Sequence, residues 1–171
     1  SNFLEELIKH IDNDIDIIEA NITDIIENSQ PVFLSSNVDE FILEATEDKL
    51  MNILNHGIRV SIFPRLIRLR LLSLNFFPKG KIYEDLAVMP ELISLSKKWK
   101  KIPNELYGYR IRQNSITTEK FSKKKLVIFS ILKHFKKYYK NHSKEIRVLV
   151  EKICIDHLRW HKTTSIPKWH F

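Results

Sequence analysis

Residues 76–117 read FFPKGKIYEDLAVMPELISLSKKWKKIPNELYGYRIRQNSIT, and their pattern decides the fold. Pro78 and Gly80 mark a turn. Glu84 and Asp85 follow it and open an apolar-periodic run that predicts a helix over residues 84–99. Pro90 lies inside that run. Proline removes a backbone donor and clashes one turn back, so either the helix kinks there or residues 84–88 form a separate turn. Residues 101–111 then read as a strand, and an extended chain puts Arg110 and Arg112 on one face. Helix followed by strand, in a chain with only 3 Gly, predicts a mixed, helix-rich α/β fold rather than an all-β one.

Upstream, residues 3–10 are an amphipathic helix and residues 14–26, rich in Ile, are a strand. Asn28 to Pro31 is a turn, with a return strand at 31–33. Thr46 is an N-cap candidate before Glu47 and Asp48, with Gly57 as the C-cap candidate. A short strand is expected at 59–63, ending at Pro64, and a helix at 66–74. Downstream, Thr118 starts a basic helix to about Tyr139, Ser143 caps a last helix to about Trp160, and the tail from Thr163 lacks periodicity. A boundary near Thr117/Thr118 divides the chain into 1–117, where strands and helices mix, and a basic helical region at 118–171.

The 171 residues are 43% hydrophobic and carry a net charge of +7, which predicts a packed core and anionic partners. The charge is uneven: the first 48 residues hold 13 of the acids, and most Lys and Arg lie beyond residue 97. One cysteine, Cys154, leaves no intrachain disulfide framework and fits a reducing compartment. No apolar run approaches the roughly 20 residues of a membrane-spanning helix. The chain begins Ser-Asn without an initiator Met, so its natural N-terminus is expected upstream.

Acids in a first helical turn complement the helix dipole, and Glu84-Asp85 can be read that way alone. The flanks add to that reading. The order Phe-Pro-x-Gly-x-x-Tyr-Glu-Asp, then Leu86-Ala87, then a strand ending Tyr107-Gly108-Tyr109-Arg110-Ile111-Arg112-Gln113-Asn114-Ser115-Ile116-Thr117 resembles the second half of a family 2 glycosyltransferase. These are inverting enzymes with the A-type nucleotide-sugar fold. The resemblance covers residues 3–117 and therefore only the acceptor side of that fold, followed by C-terminal helices. It implies transfer of a sugar from a nucleotide-diphosphate donor to a glycan acceptor, in cell-surface polysaccharide or lipopolysaccharide synthesis. It implies Asp85 as the general base, with Glu84 orienting it or contacting the acceptor. Arg110 and Arg112 would approach the diphosphate; as strand arginines they could equally be solvated. A divalent cation, Mg or Mn, would serve the complete enzyme, with its ligands and the nucleotide-binding half upstream of Ser1. This chain alone would then be inactive, with an exposed sheet edge available for self-association.

Two Asp-x-Asp triplets, Asp12-Asn13-Asp14 and Asp14-Ile15-Asp16, follow an amphipathic helix rather than an apolar strand, and they read as a solvated turn. Cys154, His157 and His161 share a helix face, but three ligands on one helix cannot close a tetrahedral site, so no metal is assigned to them. Residues 121–139 are amphipathic and ringed by lysines, with Phe129, Leu132 and Phe135 as the side chains that could insert into a membrane. Such a helix either lies on an anionic bilayer or packs on its own domain. No nucleic-acid motif accompanies it. The expected location is cytoplasmic, extending to the inner face of the membrane. The alternative to the transferase is a non-catalytic basic helical module that binds a membrane surface or an acidic partner.

Overall fold

Ile-rich alternation makes one long strand and the Trp99 to Tyr109 stretch another, and these two pair as the centre of the molecule. A computed structural model describes residues 2–26, 40–73, 76–111 and 122–165. Its elements are α1 (Phe3–Ile8), β1 (Ile15–Ile26), β2 (Phe41–Leu43), α2 (Thr46–Leu54), β3 (Arg65–Ile67), α3 (Glu84–Leu95), β4 (Lys98–Ile111), α4 (Val127–Tyr138) and α5 (Lys144–Ser165). Short 3-10 turns lie at Leu69–Leu71 and Lys123–Leu126. The sheet order is β2-β4-β1-β3. β1 and β4 run parallel, while the three-residue strands β2 and β3 add antiparallel to either side. The fold is therefore mixed α/β, as expected from the sequence, and it carries C-terminal helices.

Register irregularities set which side chains face which layer. Between Ile15 and Ile17 the partner advances only from Lys98 to Trp99, so β1 holds one extra residue there. That extra residue explains why Ile15, Ile18 and Ala20 share one core with Leu7 and Ile102, while Ile17 faces the other. β4 bulges in turn around Pro103, which has no N–H to donate; Asn21 Nδ2 donates to its carbonyl at 3.0 Å. The larger core lies on the Ile17 and Trp99 side, under α2, α3, α4 and α5. It joins residues from before and after 112–121, the segment in which the expected boundary falls and which lies outside the described residues.

α3 runs unbroken from Glu84 to Leu95 through Pro90, so residues 84–88 are not a separate turn. It stops before Trp99, which belongs to β4. Lys49 of α2 is buried and donates to the Ser96 carbonyl at 2.6 Å, placing an amine on the C-terminal end of α3. Tyr139 is fully buried beyond α4. Its hydroxyl donates to the Pro90 carbonyl at 3.1 Å and accepts from Ser94 at 3.0 Å. Burial pushes that phenol far above its ordinary value. Tyr139→Phe is expected to cost about 1–2 kcal/mol, because the Pro90 oxygen keeps its burial and loses its donor. Urea denaturation would show this as a lower midpoint at unchanged slope.

Several expectations need correction. The strand expected at 59–63 is irregular chain, and β3 begins only after Pro64. The helix expected at 66–74 is instead β3 and a 3-10 turn, because pairing with β1 holds residues 65–67 extended. Gly57 does not take the left-handed position after α2; His56 does, at φ 60°. Gly57 is tight for another reason, since a Cβ there would meet Asn52 Oδ1 at 2.8 Å. Thr46 is the first residue of α2, not its cap, and no side chain bonds that helix start. Ser143 does cap α5, accepting from the Ile146 N–H at 3.3 Å. That helix runs on to Ser165, past its expected end. The turn and strand expected at 28–33 and the helix start at Thr118 lie outside the described residues. No described helix is long and apolar enough to cross a membrane.

Candidate functional site

The turn before α3 needs two left-handed residues. Gly80 stands at φ 69° and Tyr83 at φ 63°, and together they deliver Glu84 and Asp85 to the first turn of the helix. Glu84 is exposed, whereas Asp85 is half-buried. Asp85 Oδ2 accepts the Ile62 backbone N–H at 3.2 Å, so its carboxylate is tied to the segment that leads into β3. Burial raises the Asp85 carboxyl above the usual carboxylate value. The Ile62 N–H opposes that rise, the Glu84 charge adds to it, and the Arg65 charge opposes it. The result is a carboxylate that holds a proton more readily than an exposed aspartate does.

Beneath Asp85 lies a charged centre that the sequence pattern did not single out. Glu19 of β1 is fully buried. It accepts from Arg65 Nε at 2.8 Å, from Lys101 Nζ at 2.8 Å and from Trp99 Nε1 at 3.2 Å. It also accepts the Arg59 N–H at 3.3 Å. The Arg65 guanidinium lies 4.5 Å from the centroid of the Trp99 ring, donates to the Arg59 carbonyl and touches Met89 Sδ at 3.6 Å. Met89 is one turn beyond Asp85 on α3. Arg65 thus links the buried glutamate to the helix that carries the candidate base. Burial lowers the Lys101 amine below its ordinary value, and Glu19 opposes that fall. One signal was available in the sequence: Glu19 sits between Ile17-Ile18 and Ala20 in an Ile-rich strand, where a buried carboxylate needs partners.

The remaining sequence candidates divide. Arg110 is exposed near the end of β4, and Arg112 lies outside the described residues. Ahead of Arg110, Tyr107 and Tyr109 both meet Phe63, with ring centroids 4.5 Å and 5.7 Å apart. Phe63 directly follows Ile62, so this aromatic face adjoins the residue that anchors Asp85. Asp12 and Asp14 are solvated turn residues, in keeping with their reading. Asp16 departs from that reading: it lies in β1, buried, because it takes Arg70 at 2.6 Å and the Lys97 N–H at 2.7 Å. Cys154 is in the core, with its thiol pushed up to about 11 by burial. His157 uses Nδ1 on the Ile153 carbonyl at 2.9 Å. His161 is outside the described side chains.

A cleft of about 320 Å³ opens between α3 and α4, on a different face of α3 from Asp85. Lys81, Glu91, Ser130 and His134 line it with Phe76 and Ile131, and neither Glu84 nor Asp85 does. Among the described residues no three His, Cys, Asp or Glu side chains converge as a metal site. Glu84 is exposed and Glu19 is taken by cations, so the residues around Asp85 do not fit a divalent ion. Comparison with known proteins finds no family model and no curated protein that matches this chain.

Proposed function

We propose that these residues form the acceptor side of an inverting sugar transferase of the family 2 type, acting with a nucleotide-binding half carried outside them. The observation that carries this reading is Asp85: a half-buried carboxylate in a first helical turn, held by one backbone N–H, with its basicity raised by burial. A general base has to be oriented and more basic than a solvated carboxylate, and Asp85 has both properties. The proton of an acceptor hydroxyl passes to Asp85. The freed oxygen attacks the anomeric carbon, and the bond from that carbon to the diphosphate breaks on the opposite face, inverting the centre. Arg110, exposed near the end of β4, is the cation that the resemblance assigns to the leaving diphosphate. The Glu19, Arg65 and Lys101 centre keeps residues 59–65 in place, and with them the Ile62 N–H that holds Asp85. The complete enzyme would use Mg or Mn at the diphosphate, with ligands outside these residues. The acceptor is a growing glycan.

This chain by itself is therefore expected to be inactive and to bind the donor poorly. Titration calorimetry with uridine diphosphate and manganese should give no micromolar heat signal. Micromolar binding would place the donor site within these residues and overturn the division proposed here.

A further inference from the structure

The lysines of the C-terminal region are concentrated where acids are missing. Residues 120–144 contain nine Lys and neither Asp nor Glu. Folding then sorts the apolar side chains of this stretch. Leu132 and Phe135 are buried in the core at 4% and 1% exposure, which removes them from the set expected to insert into a membrane. Phe129 is not buried; 58% of its surface is open, as is 47% of Leu126 at the end of the 3-10 turn. Phe129, Lys133 and Lys137 follow one another at a helical spacing of four and share the outer face of α4, with exposed Leu126 just before the helix and exposed Lys140 just after it. Lys123 and Lys124 precede that face and are exposed. Among the described residues, Lys136 beside this face has an acid close by, Glu151 of α5 at 3.8 Å.

We propose that this face of α4 and the preceding 3-10 turn docks on an anionic lipid surface. Leu126 and Phe129 enter the headgroup boundary, and the surrounding lysines lie against lipid phosphates. Charge complementarity selects an anionic partner. The two exposed apolar side chains among those lysines select a bilayer over a soluble polyanion, which offers no apolar phase to receive them. The inference is independent of the transferase reading, since it uses none of the residues around Asp85.

Sedimentation of the full chain with vesicles tests it. The chain should pellet with vesicles containing phosphatidylglycerol, stay in solution with phosphatidylcholine alone, and be released by added salt. Each lysine contributes about fivefold to the partition, so K133E/K137E should weaken it more than tenfold. Phe129→Ser should weaken it about tenfold, with the circular dichroism spectrum unchanged because the side chain is exposed. In a Phe129→Trp variant, emission should shift to the blue on anionic vesicles. Failure to pellet with anionic vesicles at low salt would overturn the proposal. So would binding that is indifferent to Phe129→Ser and displaced by single-stranded RNA, which would identify a soluble polyanion as the partner.

Discussion

Asp85→Asn, made in the active transferase that contains these residues, should lower turnover about 10²–10⁴-fold while leaving donor affinity nearly unchanged. The amide keeps an oxygen for the Ile62 N–H but cannot take the acceptor proton. The same substitution should stabilise the fold. Asp85 has a folded-state value above its ordinary 3.8 because burial disfavours its charge. Well below 3.8, both the folded and the unfolded chain hold this proton. Between the ordinary and the raised value, the folded chain keeps the proton and the unfolded chain has lost it. Stability therefore falls as pH rises through that window and stays lower at neutral pH. Asparagine removes the deficit, so its melting temperature should exceed that of the parent at neutral pH and converge with it in acid. A residue that lowers activity when replaced, yet raises stability, is one that the fold carries for its chemistry. Loss of stability together with equal losses in turnover and donor binding would leave Glu84 and Asp85 as ordinary acids at a helix start.

The largest stability loss is expected at Glu19. Glu19→Gln leaves Arg65 and Lys101 buried with no counter-charge, and breaking one partner of such a group costs about 3–5 kcal/mol. That is a large share of the roughly 5–15 kcal/mol that holds a domain together. The deficit should narrow at alkaline pH. Burial holds Lys101 below its ordinary 10.5 and Glu19 opposes that fall, so without Glu19 the folded-state value drops further. As pH rises toward 10.5, the unfolded chain binds more protons than the folded one over a wider window in the variant than in the parent, and the variant gains more stability. Replacing Glu19, Arg65 and Lys101 together by Met should recover most of the loss, because nothing charged then remains unpaired. Chemical denaturation at neutral and alkaline pH measures both effects. A Glu19→Gln protein as stable as the parent would mean that water reaches these cations. In the active enzyme, the triple variant is informative in another way. If the charged centre only positions Ile62 and Asp85, the variant should retain donor affinity and lose turnover.

Local signals in the sequence were sufficient for β1 and α2, for the start of α3 but not its end, for β4 from residue 101 onward, and for the Ser143 cap of α5. Each rests on side-chain periodicity or on hydrogen bonds between near neighbours, as in the Ile146 N–H to Ser143. They also marked Asp85, because a turn, an acidic pair and an apolar run lie side by side in the chain. Residues 59–74 could not be read in the same way. The leucine spacing from residue 66 onward suits a helix, yet pairing of Ile67, Leu66 and Arg65 with Ile17, Ile18 and Glu19 holds residues 65–67 as a strand, and only a 3-10 turn follows at Leu69–Leu71.

The sequence by itself determined an α/β chain with an acidic pair at a helix start and a lysine-rich end. Only the tertiary structure decided that Asp85 is anchored by Ile62, that Arg65 and Lys101 meet on Glu19, and that Phe129 stays outside while Phe135 goes in. The reason is distance along the chain. Glu19 finds its two cations 46 and 82 residues away, and Asp85 finds its donor 23 residues back. Periodicity reports which face of an element is apolar, whereas the partner a buried charge will meet is set by which strands pair and in what register.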